Sequence, residues 1–144
     1  ISKKIIINTN QKIMSKPKGV ITPAEAKKLN DSFTERCQLI SKDVTKRPDN
    51  RSSWYSIKDL KKYLRYAKKQ AKANGHKMNG VRIYCGAYPT VDGEVGYSTN
   101  FIIPTADIPN GKDGGSGGKS DIPDGDGLND GQTGWPPNAS YPQQ

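Results

Sequence analysis

Apolar residues recur at helical spacing in two stretches of the chain, and the second stretch, 53–75, has the clearer boundaries. Ser56 is a good N-cap, and it precedes Asp59 by the three residues of a capping box. Asn74 and Gly75 supply the stop, because glycine readily takes the left-handed conformation that ends helices. The pattern predicts a helix whose apolar positions share one face: Ile57, Leu60, Leu64, Ala67 and Ala71.

The first stretch begins at Thr22, which caps a helix that has Pro23 at its first position and Glu25 at its third. We expect this helix to run to about Ile40. Its apolar face is formed by Ala26, Leu29, Phe33, Cys37 and Ile40. Residues 42–52 contain a proline and a turn signal, and they predict a basic loop that carries Lys42, Lys46, Arg47 and Arg51.

Strict alternation replaces the helical pattern at residues 81–88, which predict a half-buried strand. Residues 99–105 predict a second strand after a glycine-containing loop. Because a two-stranded ribbon is marginal alone, we expect the helices to cover one face and a third strand to join. Residues 19–21 or 5–8 are the candidates for that strand. The face of the first strand expected to be buried consists of Val81, Ile83, Cys85 and Ala87.

These elements predict a small single α+β domain over residues 19–105, with two main helices packed on a short antiparallel sheet. Residues 1–18 form a leader that we expect to be disordered, or non-native before Met14. Residues 106–144 are rich in glycine, proline and aspartate, and we expect them to form a disordered acidic tail.

The distribution of charged residues also differs between the predicted domain and the predicted tail. Residues 14–105 hold 18 basic and 8 acidic residues, whereas residues 106–144 hold 2 basic and 6 acidic ones, within a total net charge of +9. Seven cations of the second helix fall within an arc of about 120°. We call them the basic arc: Lys58, Lys61, Lys62, Arg65, Lys68, Lys69 and Lys72. The arc is either a solvated face or an anion-binding surface.

The first predicted strand carries Arg82, Tyr84 and Tyr88 on the face opposite its apolar residues. Arginine and tyrosine on a strand face can stack nucleic-acid bases, as single-strand binders do. The alternative is that another element covers this face and the tyrosines form edges of the core.

Motifs for catalysis and metal binding are weak. Residues 113–120 resemble a P-loop, but Asp113 stands where the motif needs its first glycine. A calcium-type loop offers Asp124, Asp126 and Asp130, yet its first and twelfth positions are Ile122 and Thr133. With one histidine in the chain, we expect no metal, no cofactor and no enzyme activity.

Cys37 and Cys85 occupy predicted core-facing positions, where buried free thiols are favoured over a structural disulfide. The sequence has no apolar run of about 18 residues, so it predicts no transmembrane span. We expect a cytoplasmic protein of unspecified oligomeric state.

Three motifs suggest a family. Residues 54–60 read WYSIKDL, residues 80–89 read GVRIYCGAYP, and residues 98–105 read STNFIIPT. In order and spacing they resemble a family of small uncharacterised proteins from Bacteroidetes, over about the middle third of the chain. The resemblance implies an α+β domain of cytoplasmic bacterial type and implies no activity.

The functional expectation is a non-catalytic binding or adaptor protein that uses the basic arc to contact an anionic partner. The alternative is a DNA- or RNA-binding protein of low sequence specificity, aided by Arg82, Tyr84 and Tyr88. In that alternative the acidic tail modulates binding by competing for the same surface.

Overall fold

A computed structural model of the protein describes residues 15–109, 117–129 and 140–142. Helix α1 spans Pro23–Leu39 and continues into a π-helical segment, Ile40–Val44; helix α2 spans Ile57–Ala73. Strand β1 spans Met78–Ala87, β2 spans Ser98–Ala106, and β3 spans Ser120–Asp121. The predicted fold class, two helices packed with a small antiparallel sheet, is confirmed.

Both helices begin where the sequence predicts. At the start of α1, the Thr22 hydroxyl accepts a hydrogen bond from the Glu25 N–H, and the Glu25 carboxylate accepts from the Thr22 N–H at 2.7 Å. At the start of α2, the Ser56 hydroxyl accepts from the Asp59 N–H at 2.9 Å. Gly75 follows α2 with a φ of 79°, the left-handed conformation that favours glycine.

The sheet has the order β1-β2-β3, with both pairs antiparallel. Ile83 of β1 lies opposite Ile102 of β2, and Tyr84 lies opposite Phe101. Opposite residues point to the same face and neighbours alternate, so Ile83 and Tyr84 lie on different faces. Residues 19–21, one candidate for the third strand, form no strand, and residues 5–8, the other candidate, lie outside the described part.

Helix α2 packs over β2 through small side chains. Ala67 and Ala71 are 1% and 2% exposed, and they belong to two adjoining clusters that contain Ile102 and Ala106 of the strand. Tyr63 completes the contact, donating its hydroxyl to the Ile102 carbonyl at 3.3 Å.

Residues 117–129 belong to the fold, which corrects the predicted boundary at residue 105. Ile122 is 2% exposed and packs with Ala71 and Ala106, and its N–H donates to the Pro104 carbonyl at 3.0 Å. Leu128 and Ile102 exchange both backbone hydrogen bonds at 2.9 Å. Ile122 and Leu128 are therefore the apolar anchors of a segment that is otherwise polar. The rest of the predicted tail beyond residue 109, except 140–142, lies outside the described residues.

The prediction that the apolar face of β1 is buried is wrong. Ile83 is 65% exposed, Val81 is 40% exposed, and Cys85 and Ala87 are exposed as well. The reason is that β1 lies at the edge of the sheet formed by the described strands, whereas α2 packs over β2 and the segment that follows β3.

The buried face of each helix also differs from the prediction. On α2, Tyr63 is buried whereas Ile57 and Leu64 are exposed, so the core-facing side is rotated towards Tyr63. On α1, Cys37 is buried, but Leu29 and Phe33 remain exposed. This pattern fits a helix that is held mainly at its C-terminal half.

Residues 45–56, the connector between the π-helical segment and α2, hold α1 to the hairpin that β1 and β2 form. Asp49, 1% exposed, accepts hydrogen bonds from the Ser98 N–H at 2.8 Å and from the Ser98 hydroxyl. The Arg47 guanidinium lies 4.0 Å from the centroid of the Tyr97 ring, a cation–π contact. The loop is therefore packed rather than loosely solvated.

Cys37 and Cys85 are reduced thiols that form no disulfide; Cys37 is buried and Cys85 is exposed, so only one of them is a buried thiol. None of the helices in the described ranges is long and apolar enough to cross a membrane.

The anchoring role of Ile122 yields a direct test. We expect Ile122→Ala to lower the free energy of unfolding by about 2–4 kcal/mol, because it removes a buried side chain and leaves a cavity. Urea denaturation measures the change. The matched control is Ile57→Ala, the same truncation at a position that is 73% exposed, where we expect a change within about 0.5 kcal/mol. Equal effects of the two variants would contradict the anchoring role.

Candidate functional site

The basic arc covers the outer side of α2. All seven of its residues are exposed, because the packing of Tyr63, Ala67 and Ala71 turns the opposite side of the helix inward. None of the seven forms an ion pair with a carboxylate of the described residues. Within the part of the chain that the structure describes, the arc therefore presents its charges without a paired counter-charge.

A carboxylate from the 117–129 segment docks on the flank of α2 beside the arc. Asp126 accepts hydrogen bonds from the Tyr66 hydroxyl at 2.6 Å and from the Gln70 amide at 2.9 Å. Its backbone N–H donates to the Gln70 side-chain oxygen at 2.8 Å, and its carbonyl accepts from Tyr63 at 2.9 Å. Asp126 thus binds Tyr66 and Gln70, which form an uncharged strip on α2, and it forms no ion pair with the lysines of that helix.

These contacts shift the protonation of both partners. The hydrogen bond from Tyr66, and after it the one from Gln70, holds the pKa of Asp126 below its ordinary value. The same hydrogen bond to Asp126 raises the pKa of Tyr66, because it favours the protonated phenol.

Arg82, Tyr84 and Tyr88 lie on the sheet face that points away from α2, and each has a partner. The Arg82 guanidinium donates to the Lys119 carbonyl at 2.6 Å and pairs with Asp121 at 3.4 Å. The Tyr84 hydroxyl donates to Asp121, and its ring stacks on Phe101 with 5.3 Å between centroids. The Tyr88 hydroxyl donates to Asn129 at 3.0 Å.

The structure therefore separates the two groups of candidate residues. The basic arc lies on the outer side of α2, and the three strand residues lie across the sheet from it. Asp121 supplies a counter-charge to Arg82, and Phe101 occupies one side of the Tyr84 ring. The sheet face consequently offers fewer free groups for stacking bases than the alternation predicts.

The weak calcium candidate gains no support. Within the described ranges, no group of three or more His, Cys, Asp or Glu residues could hold a metal ion. Asp126 is engaged by Tyr66 and Gln70, while Asp130 lies outside those ranges.

Sequence reasoning missed the docking of Asp126. The only signal for it is the uncharged strip that Tyr66 and Gln70 form on an otherwise basic helix surface. It also missed a cleft beside α1, where Arg47 and Arg51 of the predicted basic loop are partly buried.

Comparisons with known protein families, curated proteins and solved structures gave no match. The resemblance to small Bacteroidetes proteins stays a prediction, and the site must be judged from its own geometry.

The Asp126 contact predicts a pH dependence. A carboxylate whose pKa is lowered in the folded state stabilises docking above its ordinary pKa, and the contribution disappears as the pH falls through the lowered value. We expect Tyr66→Phe to raise the pKa of Asp126, because the variant removes the strongest hydrogen bond to the charged form. An NMR titration of the side-chain carboxyl groups measures the shift.

Glu25 is the internal reference for that titration. Its pKa is lowered by hydrogen bonds from the Thr22 backbone and hydroxyl, far along the chain from Tyr66. An unchanged Asp126 titration in Tyr66→Phe, or an equal shift at Glu25, would count against the contact.

Proposed function

We propose that this protein is a non-catalytic binding module that presents the basic arc of α2 to an anionic partner. The observation that carries the proposal is the absence of any carboxylate paired with the arc among the described residues. The same chain holds carboxylates close by, yet Asp126 binds Tyr66 and Gln70 instead.

The arc also lowers the stability of α2. Its like charges occur at i,i+4 in the pairs 58/62, 61/65, 65/69 and 68/72, and each pair destabilises the helix by about 0.2–0.5 kcal/mol. None of these residues is buried, so the core does not need them. A partner that neutralises the arc would relieve the repulsion and gain binding energy from it.

Nucleic acid is the second candidate, and the dimensions of the arc favour it. From Lys58 to Lys72 the helix rises about 21 Å, at 1.5 Å per residue, which spans several phosphates of a strand. Six lysines act as point charges rather than planar forks, a property that suits binding of low sequence specificity. Asp126 places a negative charge beside the arc, where it modulates such binding.

Salt dependence tests the role of the arc. We expect affinity for a short DNA or RNA probe to fall steeply as salt rises, because bound phosphates release counterions. The triple variant Lys61→Gln, Arg65→Gln and Lys68→Gln should flatten the log–log slope by about 2–3. Fluorescence anisotropy across a salt series measures the slope.

The control variant carries Lys16→Gln, Lys18→Gln and Lys28→Gln, which removes three exposed charges elsewhere. We expect it to keep the original slope. Equal flattening in both variants would show that only the net charge matters and would contradict the proposed site. If the probe fails to bind at low salt, the nucleic-acid candidate fails; an acidic protein probe then tests the general proposal through the same variants.

The triple variant on α2 should be more stable than the original protein, although it should bind the probe less tightly. The triple variant on α2 removes the pairs 61/65, 65/69 and 68/72, so we expect it to gain about 1 kcal/mol in free energy of unfolding. Urea denaturation at low salt measures the gain, and the control variant provides the reference. A loss of stability would show that the arc supports the fold instead of serving a partner.

A further inference from the structure

A second cationic region lies apart from α2, in a cleft of about 350 Å³ between α1, the π-helical segment and the connector. Thr34 contributes from α1, Ser41 and Lys42 from the π-helical segment, and Arg47 and Arg51 from the connector. The cleft thus combines three cations with two hydroxyl groups. Departures from α-helical geometry such as the π-helical segment are frequent at functional sites.

Neutral oxygens hold both arginines in place. Arg51 donates to the Asn30 carbonyl at 2.7 Å and to the Thr34 hydroxyl at 3.1 Å. Arg47 donates to the carbonyls of Val95 at 2.7 Å and Thr45 at 3.2 Å. Among the described residues Arg51 forms no ion pair and Arg47 pairs only with the exposed Glu94, while no carboxylate lines the cleft, so the cleft keeps an excess of positive charge that can receive an anion.

Both guanidinium groups keep unused donors. A guanidinium has five N–H groups, and these hydrogen bonds leave at least one terminal N–H unused on each arginine. The Arg47 Nε is buried without a hydrogen-bond partner in the described part of the chain, so it is not a donor that a ligand reaches. Glu94 lies 3.5 Å from this atom, within ion-pair range, but its side chain is 72% exposed and forms no hydrogen bond there. Lys42 is exposed and has no carboxylate partner among the described residues.

We infer that this cleft binds the phosphate group of a small phosphomonoester. Three cations suit a dianion better than a single carboxylate, and the planar forks of Arg47 and Arg51 match the oxygens of a phosphate. The Ser41 hydroxyl accepts from the Asp49 N–H at 3.0 Å and keeps its own proton to donate. The volume is at the lower end for small-molecule sites, which indicates a compact ligand.

This site is independent of the basic arc. It is built from α1 and the connector, so loss of arc function would leave it intact, and the reverse also holds. Its ligand is a small molecule, whereas the arc is proposed to contact a larger anionic partner.

The test is a ¹H–¹⁵N NMR titration of the full chain with inorganic phosphate and then with glycerol 3-phosphate, at constant ionic strength. We expect saturable shifts at the amides of Ser41, Lys42 and Arg47 for both probes, without matching shifts along α2. Shifts that rise linearly without saturation, or that appear equally on α2, would overturn the inference. Saturable binding of inorganic phosphate alone would also overturn it, since a phosphomonoester site must accept the ester.

Two variants and one control complete the test. Lys42→Gln and Arg51→Gln should each weaken binding about tenfold or more, because each removes a charged donor. Lys28→Gln removes one exposed charge of α1 outside the cleft and should leave the affinity unchanged. Arg51 also supports α1, so Lys42→Gln decides the outcome if Arg51→Gln unfolds. Equal affinity of Lys42→Gln and Lys28→Gln would overturn the site.

Discussion

The shared core of α2, β2 and the 117–129 segment is the constraint on which the rest of the structure depends. Ala67 and Ala71 allow the helix to approach Ile102 and Ala106, and Ile122 closes the far end of this contact. Because this core fixes which side of α2 faces inward, it also fixes what the other sides of the helix contact. The uncharged strip meets Asp126, and the basic arc faces solvent.

Local signals in the sequence were sufficient for the elements. The caps at Thr22 and Ser56 and the stop at Gly75 depend on hydrogen bonds and φ angles within a few residues, so they can be read from the chain. The alternation of β1 was also read correctly as a strand. Its buried face was not, because burial depends on which strand the helix covers, and β1 lies at the sheet edge.

The segment 117–129 shows a different limit. Its glycines and aspartates give the composition of a disordered tail, and only Ile122 and Leu128 interrupt it. Composition averages over such residues, whereas packing depends on them individually.

The site was predictable to a similar extent: membership of the basic arc follows from helical geometry. The partners of Arg82 and Tyr84 come from residues 119–121, so only the tertiary structure could reveal them.

Amide hydrogen exchange of the full chain tests most directly whether residues 117–129 close the core beneath α2. The Ile122 and Leu128 amides donate to the Pro104 and Ile102 carbonyls. We expect both amides to exchange slowly, at rates close to that of Phe101, a residue of β2 that lies opposite Tyr84 of β1, because they open only when the core opens. Exchange of Ile122 and Leu128 at the rate of an unstructured peptide, with Phe101 still protected, would contradict this packing.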